Sequence, residues 1–282
     1  MTRASIVAFL IGTATLSAWA APQPIVITER RITTVNQTRT VIVDGKFVKE
    51  VVPVTTARDT QAALDPSQTA IVICDMWDDH WCKSAAERCD KLAKKAAPVV
   101  IAARKAGMTI IHCPSDTMDF YKESKARRRA EDAKKVDPPK QKVIDAPALP
   151  IDDSDGGCDD ADPPKFRKAW TRQHKAIEVD EERDFVSDSG TEVYSILQSK
   201  GITTVIVMGV HTNMCVLNRG FAIKQLTKWG VDCLLVRDLT DAMYNPKQKP
   251  FVKHDSGTLM VIQHIEQYWC PTIDSKDLLG KK

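Results

Sequence analysis

Short apolar runs alternating with helix-length segments constrain this chain more than any other feature. Thr69-Ala-Ile-Val-Ile-Cys-Asp75 is β-branched and ends on a carboxylate, as a buried parallel strand would. Met108-Thr-Ile-Ile-His-Cys113 repeats the pattern before Pro114, and residues 205–208 and 231–236 follow it. Residues 84–105 read as a helix, with Gly107 as its stop. The spacing predicts one further helix over 215–229, ended by Gly230, and a strand over 258–262. Strands alternating with helices predict an α/β fold, a three-layer sandwich whose mainly parallel sheet is flanked by helices. Such sheets bind ligands beyond the carboxyl ends of their strands. Asp75 and Cys215 both fall there.

The regions around this core differ in character. Residues 1–20 read as a signal peptide: Arg3, an apolar stretch from Ile6 to Trp19, and Ala18-Trp19-Ala20 as a cleavage pattern. This predicts an exported chain, secreted or periplasmic, with no membrane span. Residues 21–67 form a β-rich extension in which two β-branched runs flank Asp44-Gly45, a strong hairpin signal. The remainder, 68–282, reads as one domain with a charged insertion at 116–172. Residues 122–142 predict a solvated helix, and the acidic segment 152–162 a surface loop rather than a calcium site. The net charge of +3 gives no footprint for nucleic acid. Of the eight cysteines, Cys74, Cys113 and Cys233 sit in or beside apolar runs and read as core. Cys82, Cys89, Cys158 and Cys270 are the pairing candidates, with connectivity open.

The chemistry concentrates around Cys215. It follows the bend Gly209-Val-His-Thr212 and opens a helical stretch, where free N–H groups and the helix dipole favour a thiolate. Asp75 at a strand end is a desolvated candidate base. Backbone N–H groups at the bend supply a candidate oxyanion site. Cysteine, carboxylate and amides together point to acyl transfer through a thioester.

Asp75 at the end of the first core strand, with Gly209-Val-His-Thr212-Asn-Met-Cys215-Val216 opening a later helix, resembles the isochorismatase-like cysteine hydrolases, which include the nicotinamidases. Residues 191–201 match the helix that precedes that motif in the family. The resemblance implies a triad of Asp, Lys and Cys, with Asp75 as base and Cys215 as nucleophile. It further implies a cis peptide before His211, the amides of His211 and Cys215 as oxyanion hole, a small-molecule substrate, and association into a homo-oligomer.

The family lysine has no counterpart after Lys175. Arg183 is the nearest cation by register, while Lys168 and Lys175 could reach in from the preceding segment. Trp77 and Trp81 are expected as an apolar wall and Asp78, Asp79 and His80 as a polar rim, so that Trp77, Asp79 and His80 contact substrate. His80 with Asp116 or Asp119 offers a divalent site, but a hydrogen-bonded cluster is the favoured reading, and neither metal nor cofactor is expected. The reading is hydrolysis of a small amide or related C–N bond. The alternatives are a degenerate binding or assembly module and ether hydrolysis of the isochorismatase type.

Overall fold

The computed structural model describes residues 23–280, so the segment read as a signal peptide lies outside the described residues. Two long strands, β1 (Ile25–Val43) and β2 (Lys46–Leu64), come first. Strand β3 (Thr69–Cys74), helix α1 (Lys83–Ala106) and strand β4 (Thr109–Cys113) open the core domain. The insertion carries only the short helices α2 (Met118–Tyr121) and α3 (Lys125–Glu131). Then follow β5 (Phe185–Val186), α4 (Gly190–Lys200), β6 (Thr204–Val210), α5 (Cys215–Asn218) and α6 (Ile223–Lys228). Strand β7 (Asp232–Asp241), helix α7 (His254–Tyr268) and strand β8 (Thr272–Ile273) close the chain.

All eight strands join one sheet, in the order β2-β1-β8-β7-β6-β3-β4-β5. Strands β3 to β8 pair in parallel, and the hairpin adds antiparallel at the β8 edge. The period of two along β3 divides the core. Ile71 and Ile73 pack toward α1, with Ala93, Ala96 and Val100. Ala70 and Val72 face the other layer, where Val193, Leu226 and Val261 bring α4, α6 and α7. Both faces are covered, so the central strands are apolar throughout, and every residue of β3 is buried.

Three sequence expectations need correction. Residues 258–262 are not a strand but the middle of α7, whose buried positions Thr258, Val261, Ile262 and Ile265 recur at helical spacing. The stretch 215–229 is two short helices, because the chain leaves helical geometry at Arg219 (ψ 152). In residues 122–142 only α3 is helical, and the dense charges there pair with other elements rather than line a long solvated helix. Arg127, for instance, bonds the Glu192 carboxylate of α4 at 2.6 Å.

The hairpin keeps one register from Ile25↔Leu64 to Val43↔Lys46. Its turn is Asp44-Gly45, both in the left-handed region (φ 51 and 73), as a two-residue hairpin loop requires. Only its base is anchored. Ile27 and Leu64 are buried, Arg30 pairs with Thr272, and Thr28 donates its N–H to Asp277 at 3.1 Å. Beyond Thr34 the ribbon projects as an exposed arm.

Candidate active site

Asp75 and Cys215, 140 positions apart, meet at the carboxyl ends of β3 and β6. The chain leaves β3 with Asp75 in the left-handed region (φ 46), a conformation aspartate tolerates better than most residues. The carboxylate is fully buried. Its Oδ1 accepts the Ser115 N–H at 2.7 Å, and its Oδ2 accepts Arg219 Nε–H at 3.1 Å. The Cys215 thiol lies within hydrogen-bond reach of the same carboxylate.

Strand β6 brings the sulfur there through an irregularity. Its register against β7 shifts between Val207 and Gly209. Gly209 takes φ 130, and a Cβ there would lie 1.9 Å from the Cys74 carbonyl oxygen. Only glycine lets β6 pass β3 this closely. The Val210–His211 peptide is cis, as the family resemblance implies. Among the described residues, the His211 and Cys215 amides donate to no partner, whereas the intervening Thr212 and Met214 amides bond to Asp241 and His211 carbonyls.

Electrostatics set the resting proton positions. Burial pushes the Asp75 carboxyl up, while the Arg219 charge and hydrogen bonds from Cys215 and Ser115 pull it back only in part. Burial, then the Asp75 charge, pushes the Cys215 thiol up to about 12, against the pull of Arg219. The sulfur therefore rests as a thiol. The thiolate expected from a helix dipole does not form, because α5 is a single turn of four residues and burial outweighs its field.

Arg183 is not the cation of this site. Its guanidinium is exposed and holds Asp180 at 2.6 and 2.7 Å. Lys175 is exposed, and the Lys168 ammonium donates to the Asp116 carbonyl at the rim. Arg219 takes the place, bonding Asp75 and reaching Asp116 Oδ2 at 3.5 Å. The available signal was its position four residues after Cys215, one helical turn on, which puts both side chains on one face.

A cavity of about 370 Å³ opens beside Cys215. Trp77, His80 and Trp81 line it, and the insertion contributes Phe166 and Trp170. Trp77 and Trp170 stack at 4.1 Å with 12° between planes. Asp79 does not line the cavity; it is exposed and accepts the His80 N–H at 2.7 Å. Asp78 instead laces the insertion to the β3 loop by accepting the Thr171 and Arg172 amides at 2.9 and 3.2 Å. A Cys82–Cys158 disulfide fixes the acidic loop next to it. Asp160 of that loop accepts the first two amides of α1, both at 2.9 Å, which explains its carboxylate without calcium. The other pairing candidates, Cys89 and Cys270, are buried and free, as are Cys74, Cys113 and Cys233.

His80 and Asp116 do not fit a metal site. His80 Nδ1 accepts the Cys82 N–H at 3.2 Å, and Asp116 faces the Arg219 guanidinium. Burial pulls the His80 ring down to about 4 and the His211 ring to about 3, so both are neutral near pH 7.

Comparison with known proteins now bears on the chain. The Isochorismatase domain family matches residues 160–266, which contain Cys215 and Arg219. The matched stretch leaves out β3 and Asp75, which the structure supplies to the same rim. Among solved structures, a cysteine hydrolase from Pseudomonas syringae pv. phaseolicola 1448A is 15% identical over 77% of this chain and 92% of that one, with a TM-score of 0.47. An isochorismatase family protein from Burkholderia thailandensis is 15% identical over 77% of this chain and 98% of that one, with a TM-score of 0.44. No curated protein shows significant sequence similarity to the chain. Among the described residues no helix is long and apolar enough to cross a membrane.

Proposed function

We propose that the chain is an exported cysteine hydrolase that cleaves a small amide or related C–N bond through a thioester. One observation carries the reading: Asp75, Cys215 and Arg219 meet at the mouth of an aromatic cavity, beside two unpaired backbone amides. Asp75 takes the thiol proton as sulfur attacks the carbonyl carbon, since a thiol held near 12 ionises only as it reacts. The His211 and Cys215 amides receive the oxyanion. Arg219 holds Asp75 oriented but transfers no proton, because its own pKa is driven higher still by the neighbouring carboxylate and sulfur and it stays protonated throughout. Asp75 therefore hands the same proton to the departing nitrogen as the C–N bond breaks. Water then attacks the thioester, giving a proton to Asp75. Collapse releases the acid and returns that proton to sulfur.

The test uses 4-nitrophenyl acetate as acyl donor. The acetyl group should appear on Cys215 by peptide mass mapping and be absent from Cys215→Ala. An acyl group that persists elsewhere at the same rate in the variant, or none in the parent, rules out the thioester. Export and homo-oligomerisation belong to the same reading. The Cys82–Cys158 disulfide supports export, since such bonds persist in oxidising compartments. Sequencing the mature chain should find Ala21 first, and light scattering should find more than one copy.

A further inference from the structure

The distal half of the hairpin arm presents an apolar face that its own chain leaves open. Residues directly opposite each other across the ladder point to the same side, so the register sorts the arm into two faces. One carries Val35, Val41, Val43, Val48, Val52 and Val54. The other interrupts Ile42, Phe47 and Val51 with Asn36, Thr38, Thr40 and Lys49. Among the described residues, no hydrogen bond or ion pair joins residues 35–54 to anything but each other, and none of them enters a buried cluster. Val35 is 47%, Val43 51% and Val48 43% exposed. A two-stranded ribbon is marginal in water, and a covered apolar face is what makes it hold.

The pattern of the face says what covers it. At its middle Arg39 and Glu50 lie opposite each other, bonded at 3.1 Å, with valines on both sides along the ribbon. A purely apolar cover, lipid chains included, would strip water from both charges and give neither a partner. A second arm brings the same cation and anion, so each meets an opposite charge across the contact while valines meet valines to either side. The contact is by face and not by edge. The outer strand β2 carries Lys46, Lys49 and Pro53, whose charges and missing N–H discourage a further strand. The face is about 30 Å long and 10 Å wide, which puts its area near the low end of specific interfaces and fits a pair that separates in the micromolar range.

We propose that the valine face of the arm is a self-association surface whose partner is the same face of a second copy of this chain. The proposal rests on the association named above and assigns it a surface; the site at Cys215 takes no part.

Sedimentation of the mature chain over a micromolar concentration series should show a reversible dimer, and removing residues 35–54 should leave a monomer. Arg39→Glu and Glu50→Arg should each dissociate, since only like charges then meet at the centre of the contact. Mixing these two variants should restore the dimer. Each arm in the mixture still carries like charges within itself, so recovery reports contact between arms, and an ion pair that merely stiffened the ribbon would not be recovered. Val48→Thr keeps a β-branched side chain in the strand and should weaken association about tenfold, because each copy then buries an unpaired hydroxyl. Phe47→Ser, on the other face, should leave association unchanged. A dimer that survives removal of the arm sinks this proposal alone, whereas a parent that stays monomeric sinks it together with the association it rests on. A mixture that does not recover, or an unchanged dissociation constant in Val48→Thr, also overturns it. Loss of association on Phe47→Ser with Val48→Thr unaffected would move the contact to the opposite face and refute the assignment. A monomer that floats with phosphatidylcholine–phosphatidylglycerol vesicles, and no longer does so after Phe47→Ser, would give the arm to a membrane surface instead. Near-UV circular dichroism verifies that the core is intact in each variant.

Discussion

The rim that carries Asp75 and Cys215 and the hairpin arm are held by different forces. At the rim every group is enclosed: Asp75 is fully buried and tied to Ser115 and Arg219, and Gly209 touches the Cys74 carbonyl through the space of a missing methyl. The arm has the opposite character. Beyond its base it is a two-stranded ladder with Phe47 80% and Ile42 68% exposed. Its rungs are paired backbone and a few cross-strand contacts, such as Thr34 with Thr55 at 2.9 Å and Arg39 with Glu50 at 3.1 Å. Such a ribbon is marginal in water on its own. A ladder can hold an extended shape without a core, but it cannot desolvate a carboxylate. Burial does that only in the half of the molecule that has a core.

Substitutions should expose this asymmetry. The largest effect is expected at Arg219. Arg219→Met leaves the Asp75 carboxylate buried without its cation and should lower kcat/KM by roughly 10²–10³-fold. The sign for pH follows: Arg219 pulls the Asp75 pKa down, so its removal raises it, and the acid limb of the rate profile should move to higher pH. An unchanged profile would show that Arg219 does not act on Asp75. Next comes Gly209→Ala, which should destabilise by about 4 kcal/mol or more in urea unfolding, because the strands must part to admit the methyl.

Acid should have a graded effect. His80 and His211 have folded pKa values depressed from 6.5 to about 4 and about 3. The unfolded chain therefore binds more protons below pH 6.5, and stability should fall as pH drops from there toward those values. Each ring contributes up to about 1.4 kcal/mol per pH unit in that window. Replacing His211 with Phe should flatten the slope, and a slope unchanged by that replacement would contradict its neutral burial. The smallest effect belongs to the arm. Removing residues 35–54 and joining Thr34 to Thr55 through Asp-Gly should leave acylation of Cys215 unchanged and shift the melting temperature by no more than about 3 °C. A larger loss would mean that the arm supports the core.

Much of this contrast was legible in the sequence. The Asp44-Gly45 turn marked the hairpin, and apolar runs marked β3, β4, β6 and β7, because local turn chemistry and burial on both faces leave direct traces. Asp75 and Cys215 stood out by their position at strand ends. Arg219 did not, because the register of a resemblance directed attention to Arg183, and only the coordinates show the guanidinium bonding the Asp75 carboxylate. The segment of α7 from 258 to 262 reads as β-branched and apolar by itself, and its helical period emerges only when Ile265 is counted with Val261 and Ile262. The aromatic wall was half visible: Trp77 and Trp81 lie near Asp75 in sequence, whereas Phe166 and Trp170 arrive from an insertion whose path no local pattern fixes.

The missing carbon at position 209 reaches beyond local packing. Strand spacing there sets how far the sulfur stands from the Asp75 carboxylate, so site geometry and interior architecture share a single degree of freedom. Drift in the surrounding wall can reshape the cavity while that separation stays put. Altering the separation itself requires rebuilding the middle of the sheet, and change in the cavity is therefore channelled toward the loops.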